Sequence, residues 1–560
     1  MKRRFLTLAA AGVPLAIAGA VYAPVSASAQ PAPKSGNATG SAGVTAAAAA
    51  AGAAFNCGTM QVPAPAGSQV ESVTALAVPA GTFNVPGSQP LGGFPIPNVP
   101  AHCEVTVTLT HPGANDHAKV QVWLPQTGWN GRFQGVGGAA YAAGSIGNVA
   151  LAIQQGYAAA TTDAGVDTSG LNASWGLNAD GTTNTALLKN FADRSVHEMA
   201  LVGKEVTADV YTHAAAYSYF NGCSTGGRQG YMEAQKYPTD FNGVNGDAAG
   251  INWNKFEVST LWPQVVMNEL KDYPSTCELD TFNAAAVKAC DKLDGVADGL
   301  ISDPAKCDFD PRSLIGTKGV CNGTAYTVTA ADAEVVRKIW DGPRGTDGKR
   351  LWYGLPVGAQ FDYLAASHTT TDGTSAGDPF IVPKEWVAFF VQKDPSFTSA
   401  NLTYAQFDQI FKKASSQYDS IIGTANPNLT AFRNAGGKLI SWQGDSDQLI
   451  PTAGTVDYRN RVDALMGGTK KVDDFYRVYL VPGLAHCGLQ GGPIDDMTSL
   501  VNWVEQGKAP AVLHATLTTA TGTTVQRDIC RFPMVSHYAG GDPASASSFR
   551  CVNTSHDHDN

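Results

Sequence analysis

Ser224 stands at the centre of Gly222-Cys223-Ser224-Thr225-Gly226. The aromatic run Tyr217-Ser218-Tyr219-Phe220 before it reads as a strand, and Gly230 to Tyr237 after it reads as a helix stopped by Pro238. A serine on a sharp strand-to-helix turn exposes its hydroxyl, and the flanking glycines remove Cβ atoms that would clash as strand and helix converge. The helix start then offers N–H groups to an oxyanion. The same residues also suit a glycine-rich surface turn, so the rest of the chain has to supply a base and an orienting acid.

In hydrolases built on such an elbow the acid follows the nucleophile and the histidine comes last. Lys438-Leu439-Ile440-Ser441-Trp442 reads as a strand and runs into Gln443-Gly444-Asp445-Ser446-Asp447. Phe475 to Leu480 reads as another and runs into Val481-Pro482-Gly483-Leu484-Ala485-His486-Cys487. The chain has 11 histidines, and most are expected to be ordinary solvated side chains. Among those after Asp447, His486 alone follows a clear strand closely. His514 lies in a strand-like alternation, His537 in an irregular tail, and His556 and His558 in a polar terminus. Asp445 and Asp447 compete for the acid, since a buried aspartate at a strand end is often a structural cap. Asp447, three residues after Gly444, has the usual spacing.

Cys223 precedes the nucleophile and Cys487 follows the base. If Ser224 and His486 meet in a hydrogen bond, the two sulfurs come within bridging reach. A loop that long corresponds, in the chain-entropy argument, to about 5 kcal/mol of stabilisation.

The ten cysteines, an even number without Cys-x-x-Cys spacing, fit five disulfides in an exported chain. Residues 1–29 read as a signal peptide: Lys2-Arg3-Arg4, an apolar run from Phe5 to Val21, and the cleavage site Ala27-Ser28-Ala29. The chain is thus expected to be secreted or periplasmic, with no membrane anchor after cleavage. Residues 30–55, rich in Ala, Gly and Ser, read as a flexible leader. Of the 560 residues 44% are hydrophobic and 15% charged, which fits a packed globular protein. A net charge of −10 argues against nucleic acid or an anionic membrane as partner. Oligomeric state has no signature in the sequence.

Strands are expected at 105–109, 120–124, 132–136, 157–163, 241–247, 438–442 and 475–480, with helices at about 192–211 and 495–506. This strand–helix alternation is an α/β pattern. It lapses between residues 251 and 425, a stretch with four cysteines and several tryptophans, read as an inserted lid. The catalytic domain is then 56–250 with 426–560.

Cys223-Ser224, Asp447 and His486-Cys487 together resemble the tannase/feruloyl esterase family, which includes mono(2-hydroxyethyl) terephthalate hydrolases. Trp129-Asn130-Gly131-Arg132-Phe133 and Tyr237-Pro238-Thr239-Asp240-Phe241-Asn242-Gly243 support the resemblance, which runs from about Cys57 to the end. It implies an α/β-hydrolase core with a large inserted lid domain, a Cys223–Cys487 disulfide, and hydrolysis of esters of hydroxycinnamic, gallic or terephthalic-type acids. No organic cofactor is needed. The expected oxyanion donors are the N–H of Thr225 and one from the loop after Val136. Gly138 is favoured there, with Ala139 open because Gly138-Ala139-Ala140-Tyr141 departs from the family's Asn-Gly-Gly-Phe-like loop.

Asp291, Asp294 and Asp298 crowd one short glycine-turned loop, too irregular for an EF-hand. An Asp/Gly turn series is the plain reading, although carboxylates so close repel without a cation. The resemblance implies a structural Ca2+ in the lid, held by those three side chains and the Val296 and Leu300 carbonyls. It also suggests Cys290–Cys307. Cys57–Cys103, Cys277–Cys321 and Cys530–Cys551 are the remaining local pairings expected. Trp386, Phe389 and Phe390 are candidates for an aromatic acid pocket, each with lid core as the competing role. Lys384 or Arg350 could meet a substrate carboxylate. A peptidase or amidase on the same core, and a non-catalytic calcium-dependent binding protein, are the competing functions.

Overall fold

Val105, Val107 and Leu109 alternate along one strand and are fully buried, as period-two β-branched sequence requires. The computed structural model describes residues 55, 57–58, 60–86, 93–321, 323–488, 491–519 and 522–553. The expected signal peptide, nearly all of the leader, and His556 and His558 lie outside them.

Nine strands form the main sheet: β1 Gln69–Val78, β2 His102–Thr110, β3 Ala118–Pro125, β4 Arg132–Val136, β5 Ala158–Thr162, β6 Tyr217–Cys223, β7 Gly243–Asp247, β8 Lys438–Gly444 and β9 Tyr476–Val481. Their spatial order is β1-β2-β3-β5-β4-β6-β7-β8-β9. The strands from β4 to β9 run parallel, and β1 to β3 extend the sheet antiparallel. The parallel strands therefore end along one edge, where open α/β sheets build their sites.

Helix α1 (Ser195–Tyr211) and helix α2 (Thr225–Lys236) cover one face, burying Met199, Val206 and Tyr231 against Phe133, Phe220 and Val244. Helices Ile146–Gln154 and Asp496–Gln506 cover the other through Val149, Ile153, Leu500 and Trp503. A π-helical turn, Asn190–Arg194, precedes α1, which explains why the apolar pattern begins before the helix proper.

Between β7 and β8 lies the insertion, whose helices include Trp253–Ser259, Trp262–Leu270, Thr276–Cys290, Ala330–Asp341 and Tyr404–Ile422. Three of these start with a capping box: Ser275/Glu278, Thr329/Asp332 and Thr403/Gln406. Its apolar core is continuous with Tyr141 and Phe191 of the sheet domain, so the lid rests on the loops above the parallel strands. Glu257, inside that contact, is 2% exposed and accepts a hydrogen bond from the Tyr141 phenol (3.2 Å). Burial pushes its carboxyl up to about 8, against the opposing effect of that hydrogen bond.

The Asp291 loop departs from expectation. Asp291 Oδ1 accepts the N–H groups of Asp298 (2.9 Å) and Gly299 (3.0 Å). Asp294 accepts from the Val296 N–H (3.2 Å) and the Ser302 hydroxyl (2.7 Å). Asp298 accepts the Leu300 N–H (3.1 Å) and pairs with the guanidinium of Arg527, which stacks over Phe549 at 3.9 Å. The three carboxylates thus turn to their own loop and to Arg527 instead of converging. Among the described residues no group of three or more His, Cys, Asp or Glu is placed to hold a metal. The expected calcium site at Asp291, Asp294, Val296, Asp298 and Leu300 is corrected accordingly. The cation that relieves the loop's charge is Arg527, on the strand Thr524–Cys530 of a small C-terminal sheet.

His537 also departs: it lies on Met534–Tyr538, paired with Phe549–Asn553, and not in an irregular tail. Cys530–Cys551 ties its partner strand Phe549–Asn553 to the strand Thr524–Cys530. No helix among the described residues is long and apolar enough to cross a membrane.

Two outcomes follow from these buried ionisable groups. Arg527→Leu leaves Asp298 buried without its cation, and stability should fall by about 3–5 kcal/mol in urea unfolding; a loss under about 0.5 kcal/mol contradicts the assignment. Glu257 is neutral in the fold and ionises near about 4.3 in the unfolded chain. Its contribution to stability is therefore full below that pH and declines as pH rises towards about 8. Glu257→Gln should flatten the fall of the melting temperature across that window, and an unchanged profile would rule the neutral carboxyl out.

Candidate active site

β6 ends at Cys223 and α2 begins at Thr225, leaving Ser224 alone to make the turn. Its φ of 63° and ψ of −122° are costly for a residue with a side chain, and neighbouring backbone holds them in place. The Ser224 N–H donates to the Asp247 carbonyl (3.0 Å), while its own carbonyl accepts from Arg228 (2.9 Å) and Gly250 (3.2 Å). Gly226 is required by close approach, since a Cβ there would meet the backbone of Gly137 and Gly138 at 3.1–3.3 Å.

His486 and Asp447 come from the loops after β9 and β8. The His486 ring donates from Nδ1 to Asp447 Oδ2 at 2.8 Å. Asp447 is fully buried yet accepts three further bonds, from the Leu449 N–H (2.9 Å), the Ile450 N–H (2.8 Å) and Gln443 Nε2 (2.7 Å). Four donors around one carboxylate stabilise its charged form. With Nδ1 engaged by the Asp447 carboxylate, Nε2 is the ring nitrogen left to accept a proton. Gln448 Oε1 accepts the His486 N–H (2.9 Å) and fixes that loop from the other side.

Asp445 has the opposite environment. It is 2% exposed, its Oδ2 has no partner among the described residues, and burial pushes its carboxyl well above the usual range, with Asp303 adding to the effect. It makes no bond to His486. Of the two aspartates, Asp447 is the one joined to the histidine.

Cys223 and Cys487 form a disulfide with Cα atoms 6.0 Å apart. The Cys487 sulfur lies 3.6 Å from His486 Nε2. Ser224 Oγ makes no hydrogen bond to His486 in this structure, so the covalent bridge is what joins the two loops. The other pairs are Cys57–Cys103, Cys277–Cys321, Cys290–Cys307 and Cys530–Cys551, all as expected.

The Thr225 N–H opens α2, and its hydroxyl donates to the Ala140 carbonyl (2.7 Å). The loop after β4 is more engaged than expected. The Gly138 N–H donates to Gln229 Oε1 (3.1 Å), and the Ala139 N–H to the Ala142 carbonyl (3.1 Å). Sequence reading missed Gln229, although it sits in the same motif as Ser224. It also missed Tyr141, whose phenol donates to the Val382 carbonyl of the lid (2.6 Å).

Trp386 and Phe390 stack on each other at 4.3 Å and are fully buried, so both are lid core. Phe389 is half-buried against the same cluster. Lys384 is half-buried, and Arg350 is exposed, donating to the Asp341 carbonyl.

Residues 103–552 match the family model described as "Tannase and feruloyl esterase". A probable feruloyl esterase of Arthroderma benhamiae is 44% identical over 511 residues, covering 89% of this chain and 93% of the relative. Feruloyl esterase B of Aspergillus niger is 31% identical, covering 80% and 86%. Among solved structures, a tannin acyl hydrolase from Aspergillus niger superposes with a TM-score of 0.78 at 27% identity, over 88% of this chain and 94% of that one. Sheet order, inserted lid and match along most of the chain agree: this is an ester hydrolase with an α/β-hydrolase core, and it belongs to the tannase and feruloyl esterase family.

Proposed function

We propose that the chain is an exported serine esterase that cleaves esters of aromatic carboxylic acids, of the hydroxycinnamic, gallic or terephthalic type, by acyl transfer. The observation that carries this reading is Asp447 holding His486 by Nδ1, on a loop bridged covalently to the Ser224 turn. The relatives named as feruloyl esterases and tannin acyl hydrolase support the substrate class. Residues 1–29 support export, and residues 251–425 act as the lid over the acid side of the substrate.

In the first half-reaction His486 Nε2 takes the Ser224 proton as Oγ attacks the ester carbonyl. Asp447 stabilises the imidazolium that forms. The N–H groups of Thr225 and Gly138 hold the oxyanion. His486 then protonates the departing alcohol, leaving an acyl group on Ser224. Water, deprotonated by His486, releases the aromatic acid and restores the serine.

Methyl ferulate, methyl gallate, chlorogenate and mono(2-hydroxyethyl) terephthalate form the test panel. At least one should be hydrolysed, with peptide and anilide analogues left intact. Ser224→Ala should lower kcat by about 10⁴-fold or more and abolish fluorophosphonate labelling. No turnover of any of the four esters, or turnover of peptides instead, would overturn the substrate class. Labelling that persists in Ser224→Ala would overturn the nucleophile.

A further inference from the structure

Gln229 lies one turn beyond Ser224 on α2 and is 1% exposed. Both ends of its amide are used, and both reach the same loop. Oε1 accepts the Gly138 N–H (3.1 Å), and Nε2 donates to the Ala143 carbonyl (2.8 Å). One side chain thus pins the loop after β4 near its start and near its end. Two more bonds from the same end of α2 act alongside: the Gly226 N–H to the Gly138 carbonyl (2.9 Å) and the Thr225 hydroxyl to the Ala140 carbonyl (2.7 Å). There is little slack in this contact. A Cβ on Gly137 would lie 2.7 Å from Gln229 Oε1, and one on Gly138 would lie 2.0 Å from the Ala142 carbonyl oxygen.

A buried amide proton needs an acceptor. In the acyl-transfer chemistry proposed above, the Gly138 N–H serves an oxyanion that exists only during turnover. Between turnovers another oxygen has to take its place. We propose that Gln229 is a positioning residue for the oxyanion loop. Its Oε1 keeps the Gly138 N–H satisfied and directed at the start of α2 while no oxyanion is present. Its Nε2 holds the far end of the loop through Ala143, so the Gly138 and Thr225 amides stay in fixed relation. Glutamine suits both tasks. An ionised glutamate would accept from Gly138 but would face the Ala143 carbonyl without a proton, and would set a negative charge beside a developing one.

This inference rests on the acyl-transfer reading, and its test separates the two. Gln229→Met keeps the volume and removes both hydrogen bonds; Gln229→Glu keeps the shape and makes the donor depend on pH. For each, kcat and KM are measured on whichever panel ester the full-length wild type cleaves. Affinity for an arylboronic acid, which adds to Ser224 Oγ as a tetrahedral adduct, is measured alongside. Gln229→Met should lose about 10–100-fold in kcat with KM within about threefold. Boronate affinity should fall by the same factor as kcat, with the melting temperature close to wild type. Gln229→Glu should regain kcat relative to wild type as pH falls and the carboxyl takes up its proton. A folded Gln229→Met with wild-type kcat and boronate affinity overturns the inference. Should that variant fail to fold, a Gln229→Glu profile parallel to wild type overturns it. A wild type that does not label at Ser224 counts against the acyl-transfer reading instead.

Discussion

The disulfide between Cys223 and Cys487 joins the turn after β6 to the turn after β9 across 264 residues of chain. Each sulfur belongs to a residue next to a group that the proposed chemistry needs, Ser224 on one side and His486 on the other. Both turns carry backbone strain, with φ of 63° at Ser224 and 51° at Cys487. Such conformations persist only where their surroundings over-determine them. Hydrogen bonds to the Asp247 carbonyl and from the Arg228 and Gly250 N–H groups do this for Ser224, and the bridge does it for the pair of loops together. With no Ser224–His486 hydrogen bond in this structure, the covalent link is the constraint that keeps the proposed base and the proposed nucleophile on neighbouring loops.

The sheet makes that link possible. Parallel strands from β4 to β9 end along one edge, so loops far apart in sequence emerge side by side. The same edge then sorts its carboxylates by environment. Asp447 has four hydrogen-bond donors around its carboxylate, whereas Asp445, two residues away, has burial without compensation, which pushes its carboxyl well above the usual range. Two similar acids on one loop thereby meet different environments, and only the one surrounded by donors meets the histidine.

Much of this was legible in the sequence, and the reasons are specific. Alternation marked the strands at Val105–Leu109 and Val120–Leu124, and strand ends pointed to Asp447 and His486. The two cysteines beside Ser224 and His486 gave their own pairing. What escaped were partnerships with no local signature. Arg527 reaches Asp298 from 229 residues away, so the acidic loop looked like a metal site when its charge was already answered by the protein. Gln229 looked like any polar residue on a helix, because its partners Gly138 and Ala143 lie on another loop. His537 fell in a strand that exists only because Phe549–Asn553 returns to pair with it.

In the proposed mechanism the Cys223–Cys487 bridge holds Ser224 and His486 in place beyond any service to the fold. Replacing both cysteines by alanine removes the bridge without leaving a free thiol. The decisive measurement is kcat/KM of this double variant on an aromatic ester, at a temperature where circular dichroism and tryptophan fluorescence show the native fold intact. Loss of activity in a folded variant is the predicted result; full activity in a folded variant would contradict the account.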